Sequence, residues 1–156
     1  MKSLMVAFLA SALLMGCVSK YRVDPEVPLT NLQENEGYLG LVFNTLDPLK
    51  NIQIRNTETS EEFYIGRTDK GYSQITLKLT EGEYCFIGFD VYNFRVDYEN
   101  QGSCTYVEAG ELNYFAEFVV RDPITNTFSN YSRYVSLLKQ DIPELCYAFV
   151  NEDCNV

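Results

Sequence analysis

The sequence predicts a mainly β fold: an antiparallel β-sandwich closed by one or two short C-terminal helices. Three observations predict it. Between residues 37 and 128 apolar and polar residues alternate with a period of two, the signature of strands buried on one face. Turn residues at Asp47-Pro48, Asp69-Lys70-Gly71, Glu81-Gly82, Gln101-Gly102 and Ala109-Gly110 cut this alternation into short strands, as in a sandwich or barrel. After Asp122-Pro123 the apolar residues recur at spacings of three and four, which is a helical period.

In the first strand Leu39, Leu41 and Phe43 alternate with Tyr38, Gly40 and Val42. Ile52 and Ile54 then alternate with Gln53 and Arg55, as in a strand with one face in water. A polar loop over 56–62 leads into a strand over 63–67. The clearest alternation follows, with Ile75, Leu77 and Leu79 inward and Gln74, Thr76 and Lys78 outward. Residues 84–89 are apolar on both faces and predict a central strand. Phe94, Val96 and Tyr98 alternate with Arg95, Asp97 and Glu99 before Gln101-Gly102 ends that unit. A short strand over 104–107 precedes a long one over 112–120, with Leu112, Tyr114, Ala116, Phe118 and Val120 on one side. Asn130 can cap a helix that sets Tyr131, Tyr134, Val135 and Leu138 on one face. Ile142-Pro143 breaks it, and Pro143 suits the first turn of a second helix carrying Leu145 and Phe149. This organisation assigns 37–128 to the sandwich and 129–156 to a helical tail packed on it.

The N-terminus has the anatomy of an export signal over 1–16: a positive charge at Lys2, an apolar run over 4–14 and a small residue at Gly16. Leu14-Met15-Gly16-Cys17 resembles the lipobox of bacterial lipoproteins. That resemblance implies cleavage before Cys17 and acylation of its thiol, and two or three acyl chains make anchoring effectively permanent. Val18 follows the cysteine where an aspartate would resemble the inner-membrane retention signal, so the expected address is the outer membrane, facing the periplasm or the cell surface. Residues 17–36 are expected to be the lipid anchor and a flexible tether, with Pro25 and Pro28 among polar residues. Fully extended, such a stem reaches roughly 60 Å. Loss of the first 16 of 156 residues leaves 140, with 11 basic against 22 acidic side chains. So acidic a domain makes a poor nucleic-acid binder and is repelled by anionic lipid.

Four cysteines besides Cys17 remain: Cys85, Cys104, Cys146 and Cys154. An even number in an exported chain points to disulfides, and of the three connectivities the nearest-neighbour one, Cys85–Cys104 and Cys146–Cys154, is expected. The chain holds no histidine, which excludes histidine-based triads, and it has no Cys-x-x-Cys pair, so no metal and no cofactor is expected. Asp97 and Glu99, with Asp90 across a turn, are the candidate carboxylates for acid–base chemistry or calcium, weighed against a plain solvated acidic face. Tyr92, Phe94, Tyr98 and Tyr106 are the candidate binding face, with Tyr114 and Phe115 nearby, because aromatic rings on a rigid sheet can stack on sugars or peptides.

Ile52-Gln53-Ile54-Arg55, Thr68-Asp69-Lys70-Gly71, the alternation over 75–79 and Leu79-Thr80-Glu81-Gly82-Glu83-Tyr84 together resemble the core of transthyretin-like (prealbumin-like) sandwich domains. Val107-Glu108-Ala109-Gly110-Glu111-Leu112-Asn113-Tyr114 and Ile142-Pro143-Glu144-Leu145 are similar to a group of uncharacterised bacterial lipoproteins with a helical tail after such a sandwich. The resemblance spans roughly 37–150, implies the fold and brings no catalytic residue with it. The expected function is a non-enzymatic interaction or structural module of the envelope, held at the membrane by lipid on Cys17 and meeting an envelope protein. The alternative is a small-ligand or glycan binder using the tyrosine-rich sheet face.

Overall fold

The computed structural model describes residues 32–98, 103–121, 124–150 and 154, and the expectations that fall on Cys17, the tether up to residue 31, Glu99, Gln101-Gly102 and Asp122-Pro123 lie outside these. Nine strands and two helices form among them: β1 (Glu36–Thr45), β2 (Leu49–Asn56), β3 (Glu62–Thr68), β4 (Gly71–Thr80), β5 (Gly82–Val91), β6 (Phe94–Asp97), β7 (Cys104–Val107), β8 (Leu112–Arg121), β9 (Ile124–Phe128), α1 (Tyr131–Asp141) and α2 (Pro143–Phe149). The strands make two sheets. Sheet A has the order β4-β1-β8-β9; sheet B has β3-β2-β5-β6, with β7 on the same edge of β5 further along. The chain is thus a β-sandwich with C-terminal helices.

The inward residues of the alternating strands meet between the sheets. Leu39, Leu41 and Phe43 of β1 pack with Ile52, Ile54, Phe86 and Phe89 from the opposite sheet. Phe43 stacks on Phe118 at 5.2 Å between ring centres, and Phe86 reaches Phe118 at 4.3 Å, so aromatic contacts tie the layers together. Tyr84 lies fully buried at the edge of this core, and its hydroxyl donates to the Thr80 carbonyl at 2.9 Å. This ties the Glu81-Gly82 turn back onto the preceding strand, in the manner of a tyrosine corner.

One pairing departs from the expected antiparallel pattern: β1 runs parallel to β8. A parallel pair needs a long crossover, and here all of β2 to β7 provides it. β8 also departs from a single apolar side. A bulge opposite Leu41 changes its phase, because Gly40 pairs with Tyr114 and Val42 with Glu117. Ala116, Phe118 and Val120 therefore enter the inter-sheet core, while Leu112 and Tyr114 turn to the other face of sheet A.

That other face is covered by the helices. Asn130 caps α1, its side chain accepting from the Arg133 amide at 3.4 Å, and α1 buries Tyr134, Val135 and Leu138. The Tyr134 ring lies over Gly40, where a Cβ would come within 2.1 Å of it, so only glycine fits there. The Tyr134 hydroxyl lies 3.0 Å from Thr76 Oγ1, and burial pushes its ionisation well above the ordinary value of 10.0. Glu117 is buried and meets Asn130 Nδ2 at 2.9 Å and Arg133 Nε at 3.2 Å. The Cys146–Cys154 disulfide fastens the chain beyond α2 to this layer, and both cysteines are fully buried. Tyr131 remains 41% exposed, at the margin of the helical layer beside Tyr114.

Candidate functional site

Among the described residues no helix packs on the outer face of sheet B, which carries the candidate site, and two backbone irregularities create it. On β2, Lys50 pairs with Asp90 and Gln53 with Gly88, so one extra residue is accommodated around Asn51, whose φ is +47°. Asn tolerates this left-handed conformation better than most residues. On β5, Ile54 pairs with Phe86 and Gln53 with Gly88, which makes Ile87 the extra residue. Gly88 has φ +152°, and a Cβ on it would come within 2.2 Å of the Val96 carbonyl oxygen on β6. The second bulge restores the inward phase for Phe89 and Val91, so Asp90 projects outward.

Between these bulges lies an open depression of about 410 Å³. Its lining is one hydrogen-bonded array running across β6, β5, β2 and β3. Arg95 is the hub on one side. It donates to the Asn51 carbonyl at 3.0 Å, to Asp90 Oδ1 at 3.2 Å and to Gln53 Oε1 at 2.5 Å, and its Nε lies 3.4 Å from Asp97 Oδ1. Gln53 is 7% exposed and links the two halves, since its amide nitrogen donates to Glu62 and to the Tyr64 hydroxyl. On the far side Arg55 donates to Glu62 Oε1 at 2.6 Å. Asn51 Nδ2 donates to Asp90 Oδ2 at 2.6 Å, and this bond, with Arg95 contributing further, lowers the Asp90 carboxyl below its ordinary 3.8. Ile87, 5% exposed, is the apolar part of the lining on β5, and Tyr64, 54% exposed, lines the same depression from β3.

The aromatics singled out in the sequence do not gather here. Tyr98 is buried in the inter-sheet core. Tyr92, 59% exposed, and Phe94, 70% exposed, lie at the β5–β6 tip, at the same end of the sandwich as the β1–β2 loop. Tyr106 pairs with Glu83 near the other end of β5, roughly 25 Å away at the rise of a strand. Phe115 packs on the core and Tyr114 under α1. Of the candidate carboxylates, Asp90 and Asp97 both meet Arg95, and among the described residues no group of three or more Cys, Asp or Glu is placed to hold a metal ion. The Cys85–Cys104 disulfide lies on the outer face of sheet B, joining β5 to β7.

No motif in the sequence marks Tyr64 or Gln53 as a site residue. A weaker signal is present in Phe63-Tyr64-Ile65, whose alternation sends Tyr64 outward opposite Gln53. The bulges that open the surface around them leave no such mark. Searches against protein-family models, curated proteins and solved structures find no match to this chain.

Proposed function

We propose that this chain is a lipid-anchored, non-enzymatic interaction module of the bacterial envelope, tethered through Cys17 at the outer membrane and working through the outer face of sheet B. The observation that carries the reading is the unequal treatment of the two outer faces. One is sealed by helices and a buried disulfide, while the other presents an ordered polar surface with a depression. Supporting the envelope address are the lipobox-like Leu14-Met15-Gly16-Cys17 and two disulfides, which suit an oxidising compartment. The Tyr84 tie across the Leu79–Tyr84 turn supports a transthyretin-like sandwich. Among the described residues no helix is long and apolar enough to cross a membrane. The non-enzymatic reading draws on the missing histidine and on the site carboxylates, which are engaged by arginine and amide donors.

Two experiments in a bacterial host test the two halves of the proposal. Metabolic labelling with a fatty-acid probe should mark the chain, and Cys17→Ala should abolish the label and release the protein from the membrane fraction; an unlabelled parent chain refutes the anchor. A photo-crosslinking residue at position 64 should give adducts in the envelope, and the same residue at position 147, on the helical side, should give none. The reverse pattern refutes the choice of face. A second reading, binding of a small ligand or glycan, is favoured by the depression around Gln53 with Tyr64 beside it.

A further inference from the structure

We infer that the depression on sheet B is a subsite for a neutral saccharide of one or two rings, with Tyr64 as the stacking platform and Gln53, Asp90, Arg95 and Asp97 as hydroxyl partners. The inference rests on the reading of this face as the working surface and names its ligand class. Size comes first: about 410 Å³ is at the lower end of the roughly 300–1,000 Å³ range of small-molecule sites, and its openness suits a ligand that remains partly in water.

Charge selects among ligands. Glu62, Asp90 and Asp97 face two guanidiniums, Arg55 and Arg95, leaving one net negative charge in a domain that is already strongly acidic. An anion therefore meets repulsion. A cation meets carboxylates that already hold arginine, at 2.6 Å for Arg55–Glu62 and 3.2 Å for Arg95–Asp90. A wholly apolar ligand would strip water from these charged groups without replacing the lost hydrogen bonds. A neutral polyol suits all of them, because each hydroxyl both donates and accepts and the site offers carboxylate, amide and guanidinium groups side by side.

Preorganisation supplies the rest. Arg95 is held by Asn51, Gln53, Asp90 and Asp97, so little side-chain freedom remains to be lost when a ligand arrives. The exposed Tyr64, in the depression that Ile87 also lines, offers an apolar ring surface for the C–H face of a pyranose, and its hydroxyl accepts from Gln53 at 3.4 Å.

The test is saturation-transfer NMR on the full chain in detergent with glucose, galactose, mannose, N-acetylglucosamine, glucosamine and glucuronate as probes. Saturation should reach the ring protons of at least one neutral sugar and should be weaker for glucosamine and glucuronate. Tyr64→Ala and Asp97→Asn should each weaken the neutral sugar tenfold or more, whereas Tyr147→Ala on α2 should leave it unchanged. Tyr64 and Asp97 are exposed, so both variants should keep the parent melting temperature. No transfer to any neutral sugar, an undiminished signal in folded Tyr64→Ala, or a preference for glucuronate or glucosamine overturns the inference. Adducts from position 64 with an envelope protein, together with no sugar signal, overturn the saccharide alone and leave the interaction-module reading in place. Sugar transfer lost in Tyr64→Ala from a chain that carries no lipid supports the subsite and overturns the anchor.

Discussion

The two outer faces of the sandwich use similar polar residues to opposite ends. On sheet A, Gln74, Thr76 and Glu117 are all buried, and α1 lies over them with Tyr134 and Arg133 completing their contacts. On sheet B, Gln53, Arg55, Glu62 and Arg95 satisfy one another across the strands and border water. A buried polar group left without a partner costs about 1–3 kcal/mol, so the covered face needs the helix to complete its polar contacts as well as its apolar ones. The open face satisfies its polar groups from within sheet B.

Truncating one residue on each face should expose this difference most strongly. Tyr134→Ala removes a fully buried ring and the partner of Thr76, and should cost about 3–5 kcal/mol by urea denaturation. Tyr64→Ala should change stability by less than about 0.5 kcal/mol. Equal losses at the two positions would mean that the faces do not differ energetically.

The disulfides sharpen the comparison at the next level. Each closes a short loop, 19 residues apart for Cys85–Cys104 and 8 for Cys146–Cys154, and each should contribute about 2–3 kcal/mol on the chain-entropy estimate. Their accessibility differs, since Cys104 is exposed while Cys146 and Cys154 are fully buried. A thiol reductant without denaturant should therefore open Cys85–Cys104 first, read by alkylation and mass spectrometry. Earlier reduction of Cys146–Cys154 would show that the helical layer opens locally before sheet B does.

The smallest effect is in pH, and the faces should respond at opposite ends of the scale. Asp90 has its carboxyl lowered below 3.8, so its stabilisation is complete above that value and is lost as pH falls further. Tyr134 has its hydroxyl raised above 10.0 by burial, so its contribution is complete below pH 10.0 and is lost as pH rises beyond it. Melting temperatures across pH should show a shallower acid limb for Asp90→Asn and a shallower alkaline limb for Tyr134→Phe. If both substitutions flatten the same limb, the assignment of these groups to separate faces fails.

Much of this architecture is legible in the sequence, because the period-two pattern of Leu39-Leu41-Phe43 or Ile75-Leu77-Leu79 is dictated by the core it fills. The nearest-neighbour cysteine pairing, the Asn130 cap and the Pro143 helix start are legible for the same kind of reason, being local in the chain. What covers an outer face is not local. Gln74-Thr76-Lys78 and Gln53-Arg55 are equally polar and alternate equally well, yet Gln74 and Thr76 are buried, with Tyr134 of a helix that comes much later in the chain on Thr76, whereas Lys78 pairs with Glu36. Thr76 and the Tyr134 that covers it are 58 residues apart. The candidate site was harder still to read, because the bulges at Asn51 and Ile87 arise from the register between two strands. Aromatic density around Tyr92, Phe94, Tyr98 and Tyr106 does not translate into one face, since Tyr98 fills the core and the others lie at opposite ends of β5.

The parallel pairing of β1 with β8 bears on how the chain reaches its native state. Tyr38 meets Leu112, and Phe43 stacks on Phe118, across nearly the whole length of the sandwich sequence. Contacts so distant in sequence form late, because a long loop must close before they are gained. A chain emerging from its N-terminus has β1 paired to β4 at most until residue 121 is released, and its central strand meanwhile keeps an unpaired edge. Slow closure delays completion of sheet A until its last strands, β8 and β9, have arrived.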